Sequence, residues 1–101
     1  MDAAGIFPNE QIHLWNVNNG ERLATYAIEA PRGSGIISVN GSAAHRARVG
    51  DFLILAAFGQ FTDTEAQNHR PEVVFVNQHN QIITAEEARQ LGVATDPVPN
   101  P

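Results

Sequence analysis

The sequence predicts a mainly β protein, a barrel or a sandwich, with short helical turns between its strands and one helix near its C-terminus. Three observations support this. Short runs rich in β-branched and aromatic residues recur at 10–17, 21–29, 35–41, 49–58 and 72–84. Asn-Gly and Gly-Asp pairs punctuate those runs. A full set of helix start and stop signals is recognised at one stretch, residues 84–92.

In chain order, Asp2 as N-cap and Gly5 as terminator suggest a helical turn in MDAAGIF. EQIHLWNV (10–17) reads as a strand, and Asn19-Gly20 suits a two-residue hairpin loop because both residues tolerate positive φ. The return strand runs from about Glu21 to Glu29. GIISVNG (35–41) is a further strand, followed by a helical turn in SAAHRA with Ser42 as N-cap. VGDFLILAAF (49–58) leaves a Gly-Asp turn and becomes almost continuously apolar, as in a strand covered on both faces. Residues 60–71 read as a connecting loop, and EVVFVN pairs with QIIT around His79-Asn80. Thr84 with Glu87 forms a capping box, and Gly92 is the stop. The tail carries three prolines in its last five residues and is expected to be mobile. The division this implies is a β core over 1–83 and a helix with a Pro-rich tail over 84–101.

Length and composition narrow the function classes. A chain of 101 residues forms one domain with a modest core. Six Arg against eleven Asp plus Glu give a net charge of −5, which argues against a nucleic-acid partner. One arginine can still hold a small carboxylate. The sequence shows no membrane-spanning apolar run and no signal-peptide pattern, so a cytoplasmic protein is expected. There is no cysteine, hence no disulfide, thiolate metal site or thiol nucleophile. These residues also contain no lysine, and so neither a pyridoxal-type Schiff-base lysine nor a P-loop lysine.

Two groups of residues could carry chemistry. Arg22, Thr25 and Tyr26 offer a carboxylate partner, a hydrogen bond and a proton donor. In an extended strand, however, Arg22 and Tyr26 share one face while Thr25 points to the other. The pattern alone favours a simpler reading, with a solvated Arg22 and a Tyr26 whose ring packs and whose hydroxyl reaches water. Gly41, Ser42 and Ala43 lead into a helical turn, where free N–H groups and small side chains admit a ligand. A plain strand-to-turn connection explains the same residues. His13, His45, His69 and His79 are scattered and show no metal-ligand spacing. Ser42 and His45 lack a nucleophile elbow.

Taken together, the segments WNVNNGERLATYAI and RGSGIISVNGSAAHRARVGD, with DAAGI before them, closely resemble the α chain of the aspartate 1-decarboxylase family. The similarity is dense over residues 2–58 and looser to about 76. It implies a double-psi β-barrel, incomplete at its N-terminus, assembled as a homotetramer with sites between subunits. It implies a pyruvoyl cofactor, made by self-cleavage at a Gly-Ser bond, that forms a Schiff base with L-aspartate and yields β-alanine and CO₂ for pantothenate biosynthesis. By the same similarity Tyr26 is the proton donor, Thr25 a substrate contact and Arg22 the carboxylate partner. Asn40, Gly41, Ser42 and Ala43 line the substrate site.

In the family, a strand and the cleavage serine precede the stretch that matches MDAAGI, and these 101 residues begin there. Gly33-Ser34 aligns with an ordinary turn and is no substitute. The expectation is therefore a chain that is inactive alone, completed by a partner chain or by copies of itself. The alternative is a non-catalytic barrel that binds a small carboxylate or a protein partner.

Overall fold

The structure, a computed structural model, describes residues 1–92. The strand β1 (Gln11–Asn16) lies at the centre of a three-stranded antiparallel sheet, between β2 (Arg22–Tyr26) and β3 (Leu53–Ala57). A separate two-stranded ribbon joins β4 (Phe75–Val76) to β5 (Ile82–Ile83). A 3-10 turn spans Gly41–Arg46, and two short helices follow, α1 (Asp63–Asn68) and α2 (Ala85–Gln90). The chain is thus mainly β with short helical pieces. Among the described residues its strands form two separate sheets, and the three-stranded one is open at both edges.

Alternation along β1 sets the two faces of the main sheet. Ile12, Leu14 and Asn16 are buried, whereas His13 and Trp15 are half-buried on the opposite side. Register then assigns the neighbours: Ile12 faces Thr25 and Ala57, Leu14 faces Leu23 and Leu55, and Asn16 faces Leu53. The other face carries Gln11, His13 and Trp15 beside Tyr26, Ala24 and Arg22. The buried apolar core among the described residues is small: Ile12, Leu14, Ala27 and Ala88. Phe7, Phe52, Phe58, Val49 and Ile82 are exposed, an apolar surface that two large core residues cannot balance.

Several expectations are corrected. The hairpin loop has four residues, 17–20, because Asn16 pairs with Glu21 through an N–H···O bond of 2.8 Å. Asn18 N–H donates to Asn16 Oδ1 and Glu21 N–H to Asn19 Oδ1, so asparagine side chains build the loop. Only Gly20, at φ 75°, needs the left-handed region that the shorter loop would have demanded of both central residues. Asp2 does not cap a helix, since residues 2–5 form an isolated turn and its carboxylate pairs with Arg32. Residues 35–40 are not a strand, for they find no partner strand, and Ile36 and Ile37 are exposed. The cap of the 3-10 turn is Asn40 rather than Ser42, and its side chain makes no capping bond. The strand within 49–58 is uncovered: Ile54, Leu55 and Phe58 all reach solvent.

The stretch 60–71 is not all loop. Thr62 accepts from Glu65 N–H and Glu65 returns a bond to Thr62 N–H, a capping box that starts α1. The same device at Thr84 and Glu87 starts α2 as the sequence indicated, and Gly92 at φ 86° ends it. The ribbon turn at His79-Asn80 also forms where expected, with Asn80 at φ 58°. The expected mobility of the proline tail concerns residues 93–101, outside the described ones. Thr84→Ala removes the acceptor for Glu87 N–H and is expected to cost α2 about 1 kcal/mol. Hydrogen exchange should then accelerate in residues 85–90 while β1 amides keep their rates.

Candidate functional site

The second hairpin strand holds Arg22, Thr25 and Tyr26 at an edge of the sheet, because β1 lies on one side of it only. Asn16 N–H donates to the Glu21 carbonyl and Ala27 N–H to the Glu10 carbonyl, which fixes which backbone groups of β2 face β1. By the two-residue alternation of an antiparallel ladder, the backbone groups of Arg22, Ala24 and Tyr26 point the other way, toward the free edge. Arg22 sits opposite Trp15, and its guanidinium carbon lies 4.7 Å from the indole centroid. That stacking holds the cation against the sheet face without neutralising it. Tyr26 sits opposite Gln11 on the same face and is 57% exposed, with its phenol open to approach. Thr25 is half-buried on the inner face opposite Ile12, so the strand separates it from the other two as the sequence indicated.

The remaining four candidates lie together on the 3-10 turn and the residue before it. Gly41 takes φ 64°, and the space where a Cβ would project is open. Gly41 and Ser42 are exposed and Ala43 is half-buried. Asn40 is exposed, and its Oδ1 accepts from the Ser38 hydroxyl at 3.0 Å. The structure therefore groups Asn40, Gly41, Ser42 and Ala43 in one local unit.

A hydrogen-bond network that sequence reasoning missed ties this unit to the hairpin. Asn16, 2% exposed, donates through Nδ2 to Asp51 Oδ2 at 2.8 Å and to the Arg46 carbonyl at 3.0 Å. Asn19 Nδ2 donates to the same carbonyl at 3.1 Å. The Arg46 guanidinium donates to the Arg22 carbonyl at 3.2 Å and pairs with Glu21 at 3.3 Å. The available signal was a polar residue at the third position of the Ile12, Leu14, Asn16 alternation, where an apolar one would be expected. A buried amide at such a position normally has fixed partners.

Two open hollows hold none of the seven candidates. One, of about 360 Å³, is lined by Gln11, His13 and Phe58. There the His13 ring meets Phe58 edge-on at 4.9 Å, and Trp15 lies 6.4 Å from the same ring. The other, of about 340 Å³, lies between the ribbon turn and α2, with His79, Ile83 and Glu87 among its lining. Among the described residues no three His, Asp or Glu side chains converge as a metal would require, and no helix is long and apolar enough to cross a membrane.

A small open β-sheet thus carries a cationic and a phenolic side chain on one face of its edge strand, with a Gly-Ser-Ala turn fastened beside that strand. The sequence profile described as aspartate decarboxylase matches residues 1–83. The chain is 51% identical to "Aspartate 1-decarboxylase" of Leptothrix cholodnii over 97% of its length and 75% of that relative. It is 61% identical to the protein of that name from Polaromonas naphthalenivorans, over 81% of this chain and 65% of the other. With the Acidovorax sp. JS42 protein, also so named, identity is 59% over 80% of this chain and 64% of the relative. The chain belongs to the aspartate decarboxylase family. It spans three quarters of the first of these relatives and slightly under two thirds of the other two.

The Asp51 carboxylate yields a pH prediction. The Arg48 N–H bond, then the Asn16 amide bond, lower its pKa from the ordinary 3.8. A lowered folded value means that the native state binds fewer protons than the unfolded one as pH drops. The stabilisation is complete above 3.8 and is lost as pH falls below that through the lower folded value. Acid titration followed by Trp15 fluorescence should show this loss, and Asp51→Asn should flatten that limb of the stability curve.

Proposed function

We propose that the chain is the substrate-binding part of an aspartate 1-decarboxylase, converting L-aspartate to β-alanine and CO₂ for pantothenate synthesis in the cytoplasm. The observation that supports this reading best is the shared outward presentation of Arg22 and Tyr26 on the edge strand, beside a turn that carries Gly41, Ser42 and Ala43. Arg22 holds a substrate carboxylate while its stacking on Trp15 limits where the guanidinium can swing. Tyr26 donates the proton that replaces the departing carboxyl at the α-carbon. Thr25 contributes a hydrogen bond from the inner face, which a ligand lying along a free strand edge can reach as well as the outer one. Asn40 and the turn residues enclose the remaining side.

The residues fit a pyruvoyl group as their neighbour. They offer a carboxylate-binding cation and a proton donor, and no lysine amine competes for a ketone. The pyruvoyl ketone, when present, supplies the sink for the electrons left by CO₂. The two Gly-Ser pairs here serve other ends on this reading. Ser34 N–H bonds to the Pro31 carbonyl in a turn, and Ser42 belongs to the 3-10 turn. On the same reading the serine that yields the cofactor is neither of these.

The exposed Phe7, Val49, Phe52, Phe58 and Ile82 support assembly with further copies of the chain, a tetramer by family likeness, in which the sheet is completed as a double-psi barrel. On this reading residues 1–83 form the barrel core, and 84–101 are an appended helix and tail. The same exposed side chains would also suit a non-catalytic barrel with a protein partner, and activity separates the two. The native protein, with its segments identified by intact mass, should form β-alanine from L-aspartate. Tyr26→Phe should reduce that by about a hundredfold or more, with substrate affinity retained. Turnover that survives Tyr26→Phe, or native material that carries a pyruvoyl group yet releases no β-alanine, overturns the proposal.

A further inference from the structure

We infer that Arg46 is a positioning residue, a clasp that fixes the Gly41–Arg46 turn against the free edge of β2 and so sets the register between Gly41–Ala43 and Arg22. The functional part of this inference rests on the carboxylate-binding role proposed for Arg22, and the geometric part stands on its own. Arg46 is the last residue of the turn and is held at both ends. Its carbonyl accepts from Asn16 at 3.0 Å and from Asn19 at 3.1 Å. Its guanidinium reaches over the strand to the Arg22 carbonyl at 3.2 Å and to Glu21 at 3.3 Å. Four contacts thus converge on one residue from both sides of the hairpin.

Their strengths differ in a telling way. The Glu21 pair is half-exposed on both sides, and an ion pair so placed contributes little. The bond to Arg22 is different in kind. That carbonyl points to the free edge, where β1 offers it no partner, and the charged donor of Arg46 fills the place that another strand would take. On the other side, Asn16 is nearly fully buried and is itself anchored by Asp51. The turn therefore hangs between a rigid point under the sheet and a point on the edge of the candidate site. The turn's own cap adds nothing, because the Asn40 side chain makes no bond to it. Without Arg46, the segment carrying Gly41–Ala43 would lose its side-chain hydrogen bond to β2.

The test uses the full chain and three variants. Arg46→Met keeps the apolar stem and removes the donors; Arg46→Lys keeps a donor of similar reach. Asn19→Asp keeps the loop acceptor for Glu21 N–H and removes the donor to the Arg46 carbonyl. Hydrogen exchange is read at residues 41–46, with β1 amides as control, and succinate is titrated as a dicarboxylate probe that has no amine to react. In Arg46→Met and Asn19→Asp, exchange at 41–46 should accelerate about tenfold with β1 unchanged, and succinate affinity should fall by a similar factor. Arg46→Lys should restore both. Unchanged exchange at 41–46 overturns the clasp, as does a uniform loss of protection across the sheet in every variant. Exchange that accelerates while succinate affinity holds overturns its link to the site. Failure of the unaltered chain to bind succinate counts instead against the carboxylate-site reading, and exchange alone then decides on the clasp.

Discussion

The amide of Asn16 is the point on which the arrangement of the site depends. It occupies a core position of the central strand, where a hydrocarbon would pack as well, and it spends its hydrogen bonds on three separate segments. Oδ1 orders the hairpin loop through Asn18, and Nδ2 gathers the Arg46 carbonyl and the Asp51 carboxylate. The 46–52 connection is held further by Asn18 Oδ1, which accepts from Phe52 N–H at 2.7 Å, and by Val17 N–H on the Phe52 carbonyl at 2.8 Å. Polar satisfaction at one buried side chain thus joins the loop, the turn and the start of β3. In a core this small such bonds carry positional information that apolar contacts, being non-directional, cannot.

Much of the fold was readable from local chemistry. The hairpin, the strand in 49–58, the ribbon around His79-Asn80 and the helix after Thr84 were signalled by apolar runs, turn residues or caps. The misses share a cause. At 17–20, Asn19-Gly20 favours the tightest turn in isolation, whereas Asn16 and Asn18 have long-range partners that reward a wider one. Residues 35–40 have strand composition, but composition cannot provide a neighbour to pair with. The helix after Thr62 carried the same signature as the one after Thr84, Thr followed three residues on by Glu. The polar residues around it and Pro71 after it read as loop.

The candidate site was legible in identity more than in arrangement. Opposite faces for Thr25 and the Arg22–Tyr26 pair follow from strand period alone, and the register bears that out. The grouping of Asn40 with Gly41, Ser42 and Ala43 is a matter of adjacency. What spacing could not convey is that residue 46 reaches back to residue 22, since a contact over 24 positions is decided by how the 46–52 connection is pinned. Trp15 under Arg22 was equally hidden, because that pairing depends on the loop having four residues.

The guanidinium over the edge of β2 bears on how the sheet meets other chains. An open strand with unpaired backbone groups is a template for endless stacking, and natural proteins blunt such edges with charge. Here a cation already occupies the Arg22 carbonyl, which leaves the Arg22 N–H and the groups of Ala24 and Tyr26 for a strand arriving at β2. So interrupted, that edge offers only a short ladder. Growth from the β2 edge is therefore hindered, and the β3 edge is the side of the sheet left open to a further strand.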